Sequence, residues 1–373
     1  MANIFLTPSI IAKEALIVLE NNLVFGGLVH RAFDTEYRKV GDTIRIRVPA
    51  TFESQVWTGS WSAQDISEKS VSVKLDTHLD ISFEITEKQL ALDIVDFSQQ
   101  IVQPAMRAHA QKIDELLASL YVYVPYYQVL DISNDANKLA SVATARAILN
   151  DNKVPPANRY AVVCPTDEAH LLVVPSFLNA EKRGDTEALK EASLARIFGL
   201  DWYMDQNIQK KAAGGNFTTA AVPTRGSADT SKLILTEAGK VGKKGDIYTI
   251  TCTEKPAPGV KYSLLADCST GGEVAVSPPV DHAITSGAVT AVMQKTTGND
   301  LLFHKNAFAL VTAPLSPPMG GAVAAVESLD GLSCRVVYGY DIANKLNKCS
   351  VDLLVGVKCL MPELATRLIV SWA

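Results

Sequence analysis

Hydrophobic and polar positions alternate without interruption across residues 71–85. Val71, Val73, Leu75, Thr77, Leu79, Ile81, Phe83 and Ile85 stand against Ser72, Lys74, Asp76, His78, Asp80, Ser82 and Glu84. Strand side chains point to opposite faces with a period of two, so this pattern predicts one strand with an apolar and a polar face. At ~3.3 Å per residue it would reach ~50 Å, against ~17–20 Å for an ordinary strand. A compact domain rarely hosts that length, whereas a hairpin reaching out to a neighbour does. Earlier, after a Gly41-Asp42 turn, Ile44, Ile46 and Val48 alternate with Thr43, Arg45 and Arg47, which predicts a strand exposed on one side. Residues 51–70 between them are polar, with Trp57 and Trp61 in a Gly/Ser setting. Burying an aromatic side chain is worth a few kcal/mol, so tryptophans on such a loop call for a partner surface.

Helical spacing governs other stretches. Thr7-Pro8-Ser9 supplies an N-cap and a proline at the first helical position. Ile10, Ile11, Ala15, Val18 and Leu19 follow at helical intervals until Asn21-Asn22 and Gly26-Gly27. Residues 1–50 hold too few apolar side chains for a core and read as an arm. Thr86-Glu87-Lys88-Gln89 forms a capping box. The stripe Leu90, Ile94, Phe97, Ile101, Ala105, Ile113, Leu116, Leu120 and Val124 then predicts a helix of ~55 Å if continuous, kinked near Pro104.

From 139 to 210 the patterns mix: helices over 141–150, 167–174 and 186–197, and strands over 160–164 and 200–204. Residues 212–231 are rich in Gly, Ala and Thr and read as loop. Residues 236–280 read as a small β insertion, with short strands at 247–250 and 274–276 after Gly239, Gly242 and Gly245. Further strands are predicted over 308–311, 335–340, 351–357 and 367–371.

Composition narrows the class. The 373 residues carry 35 Lys plus Arg against 40 Asp plus Glu, a net charge of -5. No basic run is sustained, which argues against a dedicated nucleic-acid reader. Charged residues are 20% of the chain, below the usual ~25%, which points to surface that other chains cover. The start has no basic stretch and no apolar core, so no secretory signal is expected, and the reading is soluble, intracellular and globular. The uncharged run 306–326 is broken by Pro314, Pro317, Pro318, Gly320 and Gly321, so it is expected not to span a membrane. The cysteines (164, 252, 268, 334, 349, 359) have no C-x-x-C spacing and read as buried, reduced thiols.

Chemical motifs are weak. Asp167-Glu168-Ala169-His170 spells a helicase box, but no phosphate-binding loop precedes it. The nearest glycine run, 239–245, lacks Gly-Lys-Ser/Thr. A helix N-terminus explains the two acids better. Residues 131–137 resemble a calcium loop only faintly, since Ala136 replaces the required glycine and Val142 the bidentate glutamate, and a solvated turn is the reading. The histidines (30, 78, 109, 170, 282, 304) show no metal-ligand spacing, and neither G-x-S-x-G nor G-x-G-x-x-G occurs. No catalytic residue, metal or cofactor is expected.

The order of parts is similar to that of major capsid proteins of tailed bacteriophages, the Hong Kong ninety-seven type of fold, in the branch with an inserted β domain. The resemblance runs nearly end to end. It is carried by Ile4-Phe5-Leu6-Thr7-Pro8 with Glu14-Ala15-Leu16, by Gly41-Asp42-Thr43-Ile44 and Arg45-Ile46-Arg47-Val48-Pro49, by Lys244-Gly245-Asp246-Ile247-Tyr248-Thr249-Ile250, and by Phe303-His304-Lys305-Asn306-Ala307-Phe308-Ala309-Leu310. It implies an α+β chain with an N-terminal arm (1–50), an extended hairpin loop (51–80) overlapping an adjacent subunit, and a peripheral domain with its spine helix (81–138). It further implies an axial domain (139–235 and 281–330) holding the β insertion (236–280), and returning peripheral strands (331–373).

The function so implied is structural and not enzymatic. Copies would close as hexamers and pentamers into an icosahedral shell packaging double-stranded DNA, held without sequence specificity, in a virion assembled in the host cytoplasm. The acidic net charge suits such a lining. Partners would be other copies of the chain, a separate scaffolding protein, a portal and a decoration protein, with no membrane. Trp57, Trp61, Lys69 and Lys74 are the intersubunit contact candidates. The founding member cross-links a loop lysine to an asparagine, for which Lys69 or Lys74 and Asn344 or Asn347 would be the counterparts; no covalent link is expected here. A cellular encapsulating shell of the same fold and an unrelated α/β enzyme are the alternative readings.

Overall fold

A computed structural model describes residues 8–31, 43–48, 56–57, 69–86, 101–178, 194, 196–208, 210–211, 224–225, 232–234, 241–252, 259–269, 273–280, 287–292, 297–318, 323–342 and 346–370. The chain divides into two compact units. The first comprises Met1–Asn21, Arg31–His109 and Leu310–Leu360; the second comprises Asn22–His30, Ala110–Ala309 and Met361–Ala373.

In the first unit, α1 (Pro8–Asn22) starts on a proline, whose missing N–H costs nothing at a helix start. It buries Ile11, Ala12, Ala15, Leu16 and Leu19, while Ile17 stays exposed. β1 (Thr43–Val48) and β2 (Lys69–Lys74) form an antiparallel pair. β3 (Thr77–Thr86) instead lies on the long strand β21 (Leu346–Cys359), from Thr86 opposite Leu346 to Thr77 opposite Val355. β21 is also flanked by β18 (Phe308–Ala313) and β20 (Leu332–Asp341), and β19 (Val323–Leu329) pairs with β20 at the edge.

The strand predicted over 71–85 is therefore two strands with different partners, broken at Leu75-Asp76. The break falls where the Lys74 carbonyl comes against Gly356, so close that a β-carbon there would lie 2.6 Å from that oxygen. β19 and β20 meet across Asp330 and Gly331, both with positive φ (47° and 77°), the two-residue hairpin turn that an Asp-Gly pair favours.

In the second unit lie the short α2 (Phe25–Leu28) and most of α3, whose full span is Gln103–Ala118. A 3-10 turn, Ser119–Tyr123, replaces the last part of the helix predicted to Val124. Residues 87–100 of that prediction lie outside the described residues. The main sheet runs β4 (Tyr127–Leu130), β22 (Ala365–Val370), β17 (Thr297–His304), β5 (Arg159–Val163), β7 (Leu200–Met204) and β6 (Arg196–Ile197), with β8 (Lys210–Lys211) beside β17. α4 (Asp135–Asp151), α5 (Pro165–Leu172) and α6 (Pro175–Leu178) complete this layer.

Its core joins Val142, Ala145 and Leu149 of α4 to Ala161, Val163, Trp202, Leu302 and Leu368 of the sheet. The 131–137 turn caps α4: the Asn134 side chain accepts a hydrogen bond from the Asn137 N–H at 2.8 Å. The end of the helix predicted over 186–197 is strand instead. β6 and β7 fold back through Phe198 and Gly199, both with positive φ (53° and 73°), a two-residue turn incompatible with a continuing helix.

A second sheet runs β16 (Gly287–Val292), β12 (Ile247–Cys252), β13 (Val260–Leu264), β15 (Glu273–Ser277), β10 (Lys232–Ile234) and β9 (Thr224–Arg225), and β11 (Val241–Gly242) pairs with β14 (Cys268–Ser269). The predicted insertion strands thus share a sheet with segments on both sides of 236–280. Leu233, Tyr248, Ile250, Tyr262, Leu264, Val274 and Val276 form its core.

Candidate assembly surfaces

The β1–β2 pair is in register from Thr43 opposite Lys74 to Val48 opposite Lys69, so it is an antiparallel ribbon whose strands are joined along the chain by residues 49–68. Of that segment, Val56 and Trp57 are described, 89% and 68% exposed. Trp61 lies outside the described residues. Lys74 is exposed at the base of the ribbon and Lys69 stands at the other end of β2, so the two lysines are not brought together. Asn347 lies on β21 opposite Tyr340 and Ile85, and Asn344 is outside the described residues.

The sheet of the first unit offers further apolar surface. Leu79, Ile81 and Phe83 of β3, the apolar side of the alternating pattern, are only half-buried. Val323 is 60% exposed and Ile342 74%, with Leu329 and Tyr340 also open. A scattered exposed Leu means little, but several large apolar groups on one sheet and its edge make this a candidate docking surface. Sequence reading singled out Leu79, Ile81 and Phe83 as one apolar side but missed Val323, Leu329, Tyr340 and Ile342, for which its indirect signal was the low charge content.

A charged network crosses the polar side of the same sheet. The Ser350 hydroxyl lies 2.6 Å from both Asp80 Oδ1 and Asp352 Oδ1, donating to one at a time. Arg335 Nε donates to Asp352 Oδ2 at 2.9 Å, and the Arg335 side chain also reaches the Ser316 carbonyl at 2.7 Å. Burial pushes the Asp80 carboxyl up, but the hydroxyls of Ser350 and Ser82, which donate to it, and its hydrogen bonding with Asp352 outweigh burial and hold the group below the usual carboxylate range. Lys348 bridges Glu84 and Asp341 at 3.3 Å each. These are cross-strand ties that fix register among β3, β20 and β21, not a reacting constellation.

The second unit is held by buried polar clamps. Arg367 of β22, fully buried, donates to the carbonyls of Val124 (2.5 Å) and Gly245 (2.8 Å) and to Ser263 Oγ (2.5 Å). Desolvation pulls its guanidinium down to about 9, against the opposing pull of Tyr121 and Asp246. Asp114 of α3 accepts from the N–H groups of Val24 (3.0 Å) and Gly26 (2.9 Å), and burial pushes its carboxyl up to about 7 despite those bonds. Phe25 stacks on Phe303 at 5.0 Å, and Phe303 meets Phe308 edge-on at 5.3 Å. Cys164, Cys334, Cys349 and Cys359 are buried and free, and Cys268 is half-buried and free. Among the described residues no helix is long and apolar enough to cross a membrane.

No protein-family model and no curated protein matches this sequence. Solved structures do match it. Against a structure titled Mycobacterium phage Che8 the TM-score is 0.51 at 15% identity, over 93% of this chain and 90% of that one. Against the capsid structure of cyanophage P-SCSP1u it is 0.50 at 12% identity, over 94% and 93%. Against the capsid of Ralstonia phage GP4 it is 0.50 at 8% identity, over 92% and 86%. The chain therefore has the α+β fold of phage capsid subunits, the Hong Kong ninety-seven type that its order of parts resembles.

Proposed function

We propose that this chain is the major capsid protein of a tailed phage, assembling as hexamers and pentamers into the icosahedral shell around double-stranded DNA. The observation that carries the reading is the match to phage particles over more than nine-tenths of the chain. The β1–β2 ribbon, the exposed Val56 and Trp57 in the segment that joins its strands, and the open apolar positions of the first unit support it from this chain's own residues. They favour a structural role over an enzymatic one.

Residues 1–50 act as the arm, 51–80 as the extended loop, 81–138 and 331–373 as the peripheral domain, and 139–330 as the axial domain with its β insertion. Trp57 and Trp61 anchor the loop on an adjacent subunit; Lys69 at the loop end of β2 and Lys74 at the base of the ribbon are separate contact candidates, neither with a covalent link. Scaffolding protein, portal and decoration protein are the further partners. The phage origin of the matched structures supports a viral shell over a cellular one.

Electron microscopy of the full chain co-expressed with its genomic neighbours tests this. Closed icosahedral shells are expected; a uniform small oligomer under every condition overturns it. Within shells, replacing Trp57 and Trp61 together by Ala is expected to lower yield and heat resistance, and unchanged shells would remove the anchoring role. Denaturing gels of mature particles are expected to show single chains, and a ladder of covalent multimers would refute the absence of cross-links.

A further inference from the structure

At the end of β5 the second unit gathers three ligand-type side chains in its interior. Cys164 closes the strand and caps α5; Asp167 lies in the first turn of α5; Asp300 comes from β17, beside β5. Asp167 and Asp300 are 0% exposed and Cys164 is 2% exposed. One ligand atom from each lies within 4.8 Å of the others. Asp300 Oδ1 accepts the Cys164 N–H at 2.8 Å, but Asp300 Oδ2 and both carboxylate oxygens of Asp167 find no donor outside the cluster itself, only protons shared among the two carboxyl groups and the Cys164 thiol. Orphaned buried oxygens are costly, and two neighbouring buried carboxylates cannot both stay ionised without a counter-charge.

Gly298 supplies an independent observation. A β-carbon placed there would lie 2.8 Å from Asp167 Oδ2, 2.8 Å from Cys164 Sγ and 3.6 Å from Asp300 Oδ1. The first two distances are below contact, so only glycine lets the backbone of β17 pass this close to the three groups. We propose that Cys164, Asp167 and Asp300 bind a divalent metal ion, Zn²⁺, as a structural site of the second unit.

The donor set selects the metal. A thiolate is a poor ligand for Mg²⁺ or Ca²⁺, which need six or more oxygens, and suits zinc. Tetrahedral zinc, with bonds of about 2.0–2.3 Å, separates its ligands by about 3.5 Å, inside the observed spread; the three side chains fill three positions and a water taken in with the ion fills the fourth. Binding displaces the thiol proton and any proton shared by the carboxylates, and puts a positive charge where the oxygens lack outside donors. Because the site is closed, the ion enters as the chain folds.

The test uses the full chain, unfolded in urea under reducing conditions, refolded with Zn²⁺ or Co²⁺ and dialysed. About one equivalent of metal per chain is expected, and with cobalt a thiolate-to-cobalt charge-transfer band. Asp300→Asn is expected to lower metal content more than ~10-fold, and Cys164→Ser to abolish the band; Cys268→Ser keeps both. If the wild-type chain refolds, judged by circular dichroism, yet retains no metal, the proposal falls and the two carboxyl groups share a proton instead. A charge-transfer band that survives Cys164→Ser also overturns it. Neither result depends on whether the chain forms shells.

Discussion

β5 and β17 of the second unit bury nearly every residue they contain, whereas β3 and β19 of the first leave their apolar positions half-covered or open. The two pairs of strands also read differently. Ala161-Val162-Val163 is a continuous apolar run, as expected of a strand covered on both faces. β3 is a clean alternation whose apolar side stays half-filled. The contrast teaches where stability resides. The second unit covers its own apolar residues and clamps a fully buried arginine, while the first leaves apolar surface open; in the proposed shell another chain would cover that surface and lend the first unit part of its stability.

The largest effect that sharpens this contrast is expected at Arg367. Arg367→Ala leaves buried carbonyls of Val124 and Gly245 without a donor, and chemical denaturation of unassembled chain is expected to show a loss of ~3–5 kcal/mol. A loss under ~1 kcal/mol would break the comparison.

Asp114 comes next. Its folded carboxyl titrates near 7 rather than 3.8. The protonated form therefore favours the fold: its contribution is complete below pH ~4 and is lost as pH rises through ~7, at most ~4 kcal/mol. Denaturation midpoints against pH are expected to fall over that window in wild type and to flatten in Asp114→Asn.

Gly331 is the matching probe in the first unit. It has φ 77°, and a β-carbon would sit 2.6 Å from the Arg31 carbonyl, so Gly331→Ala is expected to cost ~1–3 kcal/mol by the same assay.

The smallest effect on the isolated chain is expected from Tyr340→Ser with Ile342→Ser, within ~0.5 kcal/mol because both are exposed. The same pair is expected to lower the assembled fraction in sedimentation. A variant that assembles normally would show that these groups face solvent in the particle.

Much of the architecture was legible in the chain. α1, β1, β7 and β18 fall on their predicted stretches, because helical or strand periodicity there coincides with simple end signals such as Pro8 and Gly41-Asp42. The break at Leu75-Asp76 was not legible, because the change of partner from β1 to β21 keeps the alternation in phase. Leu329-Asp330-Gly331-Leu332 carried a readable hairpin signal that went unused, so β19 was missed. The end of the 186–197 helix failed because helical spacing says nothing of the left-handed pair at Phe198 and Gly199. The candidate contacts were legible only as residue types: Trp57 is open as expected, but Tyr340 and Ile342 become a surface only once β20 and β21 are paired. The 164–167–300 cluster joins residues 136 positions apart, a separation that local periodicity does not reach.

β19 carries one further consequence. It is an edge strand of seven residues, Val-Ala-Ala-Val-Glu-Ser-Leu, with one charge at Glu327. An edge of that composition is a template on which identical strands stack, the first step towards fibrils. A second β19 laid parallel and in register would set Glu327 against Glu327, and like charges side by side oppose the stack. Among the described residues that edge has no further strand beside it, and the Glu327 carboxylate is the one charge on it that opposes such stacking.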